Sequence, residues 1–136
     1  MSVRENKALM QRVIEEGWNA RNPAAFDGLF AEEFVSHTPN GEFNGLDGYK
    51  QLYDIYVSAF PDCRFTIDQL VGEGEMVSLS YTFNGTHTGP LQEVPPTGKR
   101  VSTHGVSVCR IVDGQSVQEH VVWDGLGLLQ QLGLVE

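Results

Sequence analysis

Val77-Ser-Leu-Ser-Tyr-Thr-Phe-Asn84 alternates apolar and polar side chains without a break. A period of two marks a strand with one buried face. Phe65, Ile67 and Val71 suggest a strand leading into it, and Val101–Val112 and Val117–Trp123 read as two more downstream. Asp113-Gly114, between the last two, is a hairpin signal. Gly89–Lys99 is a loop punctuated by Pro90, Pro95, Pro96 and Gly98, and Leu126–Leu132 reads as a short terminal helix or turn.

Before Pro61 the period is helical. Leu9, Met10, Val13, Ile14 and Trp18 trace one face of a helix from Asn6 to Trp18, and Asn22-Pro23 ends it. Phe26, Leu29, Phe30 and Phe34 suggest a second short helix within Pro23–Phe34, and Ser36–Gly45 is rich in turn formers. Leu52, Tyr53, Tyr56 and Phe60 give a third helix over Leu46–Phe60. Helices first and a meander of strands afterwards is the α+β pattern. Three helices and about four long strands can form a curved sheet around a helical layer, leaving an internal pocket.

At 136 residues the chain has the length of a single domain, 1–136. Its net charge of −9 repels phosphate backbones and anionic lipid surfaces, so nucleic acid and membrane are not expected partners. No run approaches the roughly 18 apolar residues of a membrane span, and the polar start lacks the apolar centre of a signal peptide. Cys63 and Cys109 read as buried thiols in a reducing compartment, which points to the cytoplasm.

With these elements in order, the chain resembles the SnoaL-like, polyketide cyclase-related branch of the NTF2-like (cystatin-like α+β cone) superfamily. The motifs are Gly85-Thr-His-Thr-Gly89, Pro95-Pro-Thr-Gly98, Arg110-Ile-Val-Asp-Gly114 and Asp124-Gly-Leu-Gly-Leu-Leu-Gln-Gln-Leu-Gly133. The resemblance implies a mostly antiparallel sheet curved around N-terminal helices. It also implies ring closure by intramolecular aldol chemistry with neither metal nor cofactor. In such cyclases an aspartate on the last strand is the general acid/base, with a histidine and a polar amide on the neighbouring strand. Laid over this chain, those positions fall on Val121, Ser107 and Gly105. None is kept, and valine cannot move a proton.

The hairpin register decides what else faces the pocket. A two-residue turn opposes Val112 to Gln115 and Thr103 to Asp124. A three-residue loop opposes Ile111 to Gln115, Gly105 to Val121 and Ser107 to Glu119. The second is favoured, because it groups the three family positions on one face with Thr103, Cys109, Glu119 and Trp123. His104, Val106, Val108, Arg110, His120 and Val122 then face outward.

Three residues are candidates for proton transfer. Glu119 is the only carboxylate on the inferred inner face of the hairpin; it is either a displaced general base or a side chain near the hairpin's open end, solvated or paired with a basic residue. Asp124 is either an acid at the pocket mouth or the N-cap of the terminal helix. His37, in a loop, either reaches the pocket or stays exposed. Trp18, Tyr53, Tyr56 and Trp123 are candidates for holding a flat apolar or aromatic ligand, with room left by Gly105, Ser107 and Val121. His87 either lines the rim or orders its own turn. The four histidines have no metal-binding spacing, so neither a metal nor another cofactor is expected.

Three functions fit. One is a cofactor-independent enzyme that cyclises, isomerises or hydrates a small apolar carbonyl compound. Another is a non-catalytic protein that binds or carries such a ligand. The third is an oligomeric interaction module with the outer sheet face as its interface. In each case the alternating valines of the outward face favour a homodimer.

Overall fold

The apolar alternation of Val77, Leu79, Tyr81 and Phe83 becomes the inner face of a strand: all four are buried, while Ser78, Ser80, Thr82 and Asn84 point the other way. The computed structural model describes residues 2–136. Helix α1 (Val3–Arg12) runs on into a π-wound segment, Val13–Asn19, followed by a single 3-10 turn, Pro23–Phe26. Strands β1 (Phe30–Thr38) and β2 (Gly41–Asn44) precede helix α2 (Gly45–Ala59). Strands β3 (Arg64–Glu73), β4 (Met76–Thr86), β5 (Arg100–Val112) and β6 (Gln115–Trp123) follow, and α3 (Gly125–Gln131) ends the chain.

The strands form one curved, open sheet in the order β2-β1-β6-β5-β4-β3. Every pair is antiparallel except β1 with β6. Helix α1 packs across β3 and β4, and α2 packs across β1 and β2. The core lies between helices and sheet, where Val13, Phe26, Phe34, Phe60, Val77 and Leu79 are almost wholly withdrawn from solvent. Cys63 and Cys109 are free, buried thiols. Among the described residues no helix is long and apolar enough to cross a membrane.

Two expectations are corrected here. The expected helix within Pro23–Phe34 is only the turn Pro23–Phe26; Gly28, at φ +80°, ends it, and the chain leaves as β1. The misleading signal has a physical source. The pairing of β1 with β6 is irregular between Phe30 and Val35, so Phe30 and Phe34 both point inward with two exposed glutamates between them. An interrupted strand thereby imitates the i, i+4 spacing of a helix. The sheet therefore has six strands rather than about four, because part of the turn-rich segment Ser36–Gly45 is also strand.

The second correction concerns the hairpin. Asp113 and Gly114 both have positive φ, 50° and 76°, so the turn has two residues and Val112 opposes Gln115. Uncorrected, that register would put Glu119 on the outer face. Instead Ile111 pairs with Ser116 and Arg110 with Gln118, leaving Val117 as an extra residue. Beyond this bulge Cys109 opposes Glu119, Ser107 opposes Val121 and Gly105 opposes Trp123. The inward and outward sets are those of the three-residue loop, but every partner is displaced by two residues.

Gly17 shows how tightly the helical layer is fitted. A Cβ there would collide with the Phe26 ring. Gly17→Ala should destabilise the protein by about 1–3 kcal/mol through overpacking, measured as a lower urea midpoint with an unchanged slope.

Candidate active site

Each wall of the cavity has its own local cause. The π winding of Val13–Asn19 turns Ile14 and Trp18 toward the sheet. Such windings are frequent at functional sites. Trp18 donates its indole N–H to the Tyr49 hydroxyl at 2.9 Å. Helix α2 contributes Tyr49, Leu52 and Tyr56. From the sheet come Leu79, Tyr81 and Phe83 of β4, Thr103 and Ser107 of β5, and Glu119, Val121 and Trp123 of β6. Met10, Phe65 and Leu128 complete a largely apolar cavity of about 80 Å³.

Glu119 is the only carboxylate in this wall among the described residues. It is 7% exposed. Ser36 of β1 donates its hydroxyl to Oε2 at 2.6 Å, and Ser107 of β5 donates to Oε1 at 2.7 Å. The sheet register brings Ser36 there, since it is Glu119's direct partner across the parallel pair. Burial raises the Glu119 pKa above the ordinary carboxylate value. The two serine hydrogen bonds, and more weakly His120, oppose that rise without cancelling it. Burial likewise raises the pKa values of the Tyr49 and Tyr81 phenols and the Cys109 thiol, and the Glu119 charge adds to each. Tyr56, whose hydroxyl accepts from the Asn40 amide at 3.3 Å, is pushed up to about 12 by burial.

The other sequence candidates divide between cavity and elsewhere. Trp18, Tyr56, Ser107, Val121 and Trp123 line the cavity with Glu119. Tyr56 and Trp123 meet edge to face, ring centres 5.6 Å apart. Tyr53 stands outside the lining, with its ring against Trp18 and Phe26. Gly105 contributes no side chain; its missing Cβ leaves the space that Tyr81 fills. Asp124 is exposed and caps α3, accepting the Gly127 N–H at 2.9 Å. His37 points to the opposite face of the sheet from Ser36. There it lies 2.7 Å from Glu42 and stacks on His120 at 4.4 Å. His87 is fully buried against Phe60, and its Nδ1 accepts the Thr97 N–H at 3.2 Å, tying down the Gly89–Lys99 loop. Burial lowers its pKa, which favours the neutral ring. Of the alternatives the sequence offered, Asp124 is thus the N-cap and His87 the residue that orders its loop, while His37 and Tyr53 do not line the pocket.

Ser36, Tyr49, Tyr81 and Thr103 were not among the candidates. Tyr49 is three residues before Leu52 on the same helical face, and Tyr81 was legible as an inward strand residue. Ser36 was hidden by the misread β1. Among the described residues no three His, Cys, Asp or Glu side chains converge as a metal site would require.

The known proteins that match this chain agree with the geometry. Residues 8–132 match the family described as SnoaL-like polyketide cyclase. The chain belongs to the SnoaL-like polyketide cyclase family. Nogalonic acid methyl ester cyclase of Streptomyces nogalater is 41% identical over 96 residues, covering 69% of this chain and 71% of the relative. AclR of Streptomyces galilaeus, described as a candidate hydroxylase, superposes with a TM-score of 0.88 at 30% identity, covering 99% of this chain and 89% of that one. TsrD of Streptomyces laurentii superposes with a TM-score of 0.88 at 27% identity, covering 99% of both chains. Proteins described by more than one chemistry thus share this fold, and the side chains in the cavity must distinguish them.

The raised Glu119 pKa has a consequence for stability. The folded state holds this proton more tightly than the unfolded chain does. Between the unfolded and folded pKa values the native state binds more protons, so stability falls as pH rises through that window. Glu119→Gln should remove the fall. Its thermal midpoint at pH 7 should exceed that of the wild type, and the gap should close toward pH 4, measured by calorimetry.

Proposed function

We propose that this protein is a cofactor-independent acid/base enzyme of cyclase type, acting on a flat, largely apolar carbonyl compound with Glu119 as general base. The observation that carries the reading is the buried carboxylate: among the described residues it is the one carboxylate lining an aromatic cavity, and two hydroxyls fix its orientation. On the family pattern the acid would stand at position 121. We read Val121 as a displacement of the base by one strand repeat, with Glu119 taking the role from two residues away.

In this mechanism the Glu119 carboxylate removes a proton from the carbon beside a carbonyl. The C–H electron pair becomes the enolate π bond, and the carbonyl π pair moves to oxygen. In ring closure the enolate carbon attacks a second carbonyl of the same molecule. Protonated Glu119 returns its proton to the new alkoxide, which leaves the carboxylate ready for another turnover. Trp18, Tyr56 and Trp123 hold the flat skeleton, and the narrow cavity excludes water from the enolate.

Nogalonic acid methyl ester, named for the cyclase relative, is the first substrate to test. Glu119→Gln should lower its rate of ring closure by about 10²–10⁴-fold, followed by chromatography and mass spectrometry. Affinity, read from quenching of Trp18 and Trp123 fluorescence, should change little. Wild-type turnover should rise with pH through an apparent pKa above the usual carboxylate range, because only the ionised form is the base. Tight binding without turnover in the wild type would replace the enzyme reading with that of a ligand carrier.

The reading also includes a homodimer formed across the outer sheet face. Val106 and Val122 are direct cross-strand partners, 45% and 67% exposed, with Val108 beside them. Val122→Lys should convert the dimer to a monomer in light scattering; a wild type already monomeric at high concentration would remove the dimer from the account.

A further inference from the structure

The cavity holds a hydrogen-bond donor, the Tyr81 phenol, that the mechanism above leaves idle. Tyr81 is 7% exposed and lines the cavity, and its hydroxyl has none of the ties that hold those of Tyr49 and Tyr56. Among the described residues the enclosed polar side-chain atoms without a partner are Asn6 Oδ1 and His87 Nε2, so the Tyr81 hydroxyl instead opens onto the cavity, where a ligand can reach it. Its position depends on Gly105, its direct partner on β5. A Cβ at residue 105 would collide with the Tyr81 hydroxyl. Any other residue there would displace the phenol from the place it occupies.

We propose that the Tyr81 hydroxyl is the donor that stabilises the substrate oxygen as it becomes an enolate. Gly105 and Ser107 are two residues apart on one face of β5, roughly 6.6 Å. The Tyr81 hydroxyl lies over the first, and the Glu119 carboxylate is held by the second. With the base and the donor each at a reach of about 3 Å, a C–C=O unit bridges that interval: its α-hydrogen meets Glu119 and its oxygen meets Tyr81. The remaining hydroxyls fit the role less well. Those of Tyr49 and Tyr56 are held in place by the bonds they accept from Trp18 and Asn40, whereas that of Tyr81 is set over Gly105, and Thr103 lies a further strand repeat from Ser107. Burial keeps the Tyr81 phenol protonated well above neutral pH, so it offers a hydrogen bond without surrendering its proton.

The inference rests on the reading of Glu119 as base, and one small ketone separates the two. 2-Tetralone is flat and largely apolar, with acidic hydrogens beside its carbonyl. Its carbonyl stretch in the bound state reports the donor, and exchange of the C1 hydrogens in D₂O reports the base. Wild-type protein should shift the stretch to lower frequency and accelerate exchange. Tyr81→Phe should lose the shift and slow exchange by about 10²–10³-fold, with affinity changed less than about tenfold. Its melting temperature should stay near that of the wild type, since the lost hydroxyl has no protein partner. Glu119→Gln should stop exchange but keep the shift. A shift and rate unchanged in Tyr81→Phe would overturn the role of Tyr81 and leave that of Glu119 standing. A shift that depends on Tyr81, with exchange indifferent to Glu119→Gln, would support the donor and overturn the base. No uptake of the ketone by wild-type protein would overturn both.

Discussion

A carboxyl group taken out of water must find hydrogen-bond donors or give up its charge. Glu119 meets this demand with two seryl hydroxyls, one from each neighbouring strand. Three strands must therefore lie in one register for the group to be tolerated at all. That register in turn depends on a single surplus residue, Val117, which reverses the inward and outward sense of β6 after the tight Asp113-Gly114 turn. Without the bulge, the alternation would carry His120 into the cavity and turn Glu119 out. The chemistry of the pocket and the pleat of the sheet are thus the same constraint seen at two scales.

The aromatic side of the cavity follows a similar economy of position. Gly17 lets the π-wound segment approach Phe26, which sets Trp18 over the sheet. Gly105 lets Tyr81 reach across β5, and Val121 gives the cavity wall an apolar side chain two residues from Glu119. In each case a small or apolar residue at one position defines what a neighbouring strand or helix can present. Substituted pockets on this fold are best compared as shapes shared between strands, since a group lost from one strand can be offered by the next.

Much of this could be read along the chain. Strict alternation in Val77–Phe83, the Asp113-Gly114 turn and the helical faces of Leu9–Trp18 and Leu52–Phe60 are local patterns, and local patterns survive in sequence. The inward face of the hairpin, with Glu119 on it, was also legible. What failed was whatever a bulge disturbs. The irregular stretch of β1 imitated a helix and concealed Ser36, and the bulge at Val117 displaced every pair in the hairpin. His37 and Asp124 each left two alternatives open in the sequence, and local structure decides between them. Alternation turns His37 outward, and Asp124 is the N-cap of α3.

The parallel pair of β1 with β6 has one more implication. Ser36 and Glu119 are 83 residues apart in the chain, and neither has its partner until the first strand and the last lie side by side. Contacts that distant are slow to form, because loop closure must precede any gain from them. During synthesis, β3 to β5 can assemble as a meander while β1 waits, its inward phenylalanines uncovered, for β6 to leave the ribosome. The pocket around Glu119 is consequently the last part of the protein to form, and until then the chain presents an open sheet edge and no buried carboxylate.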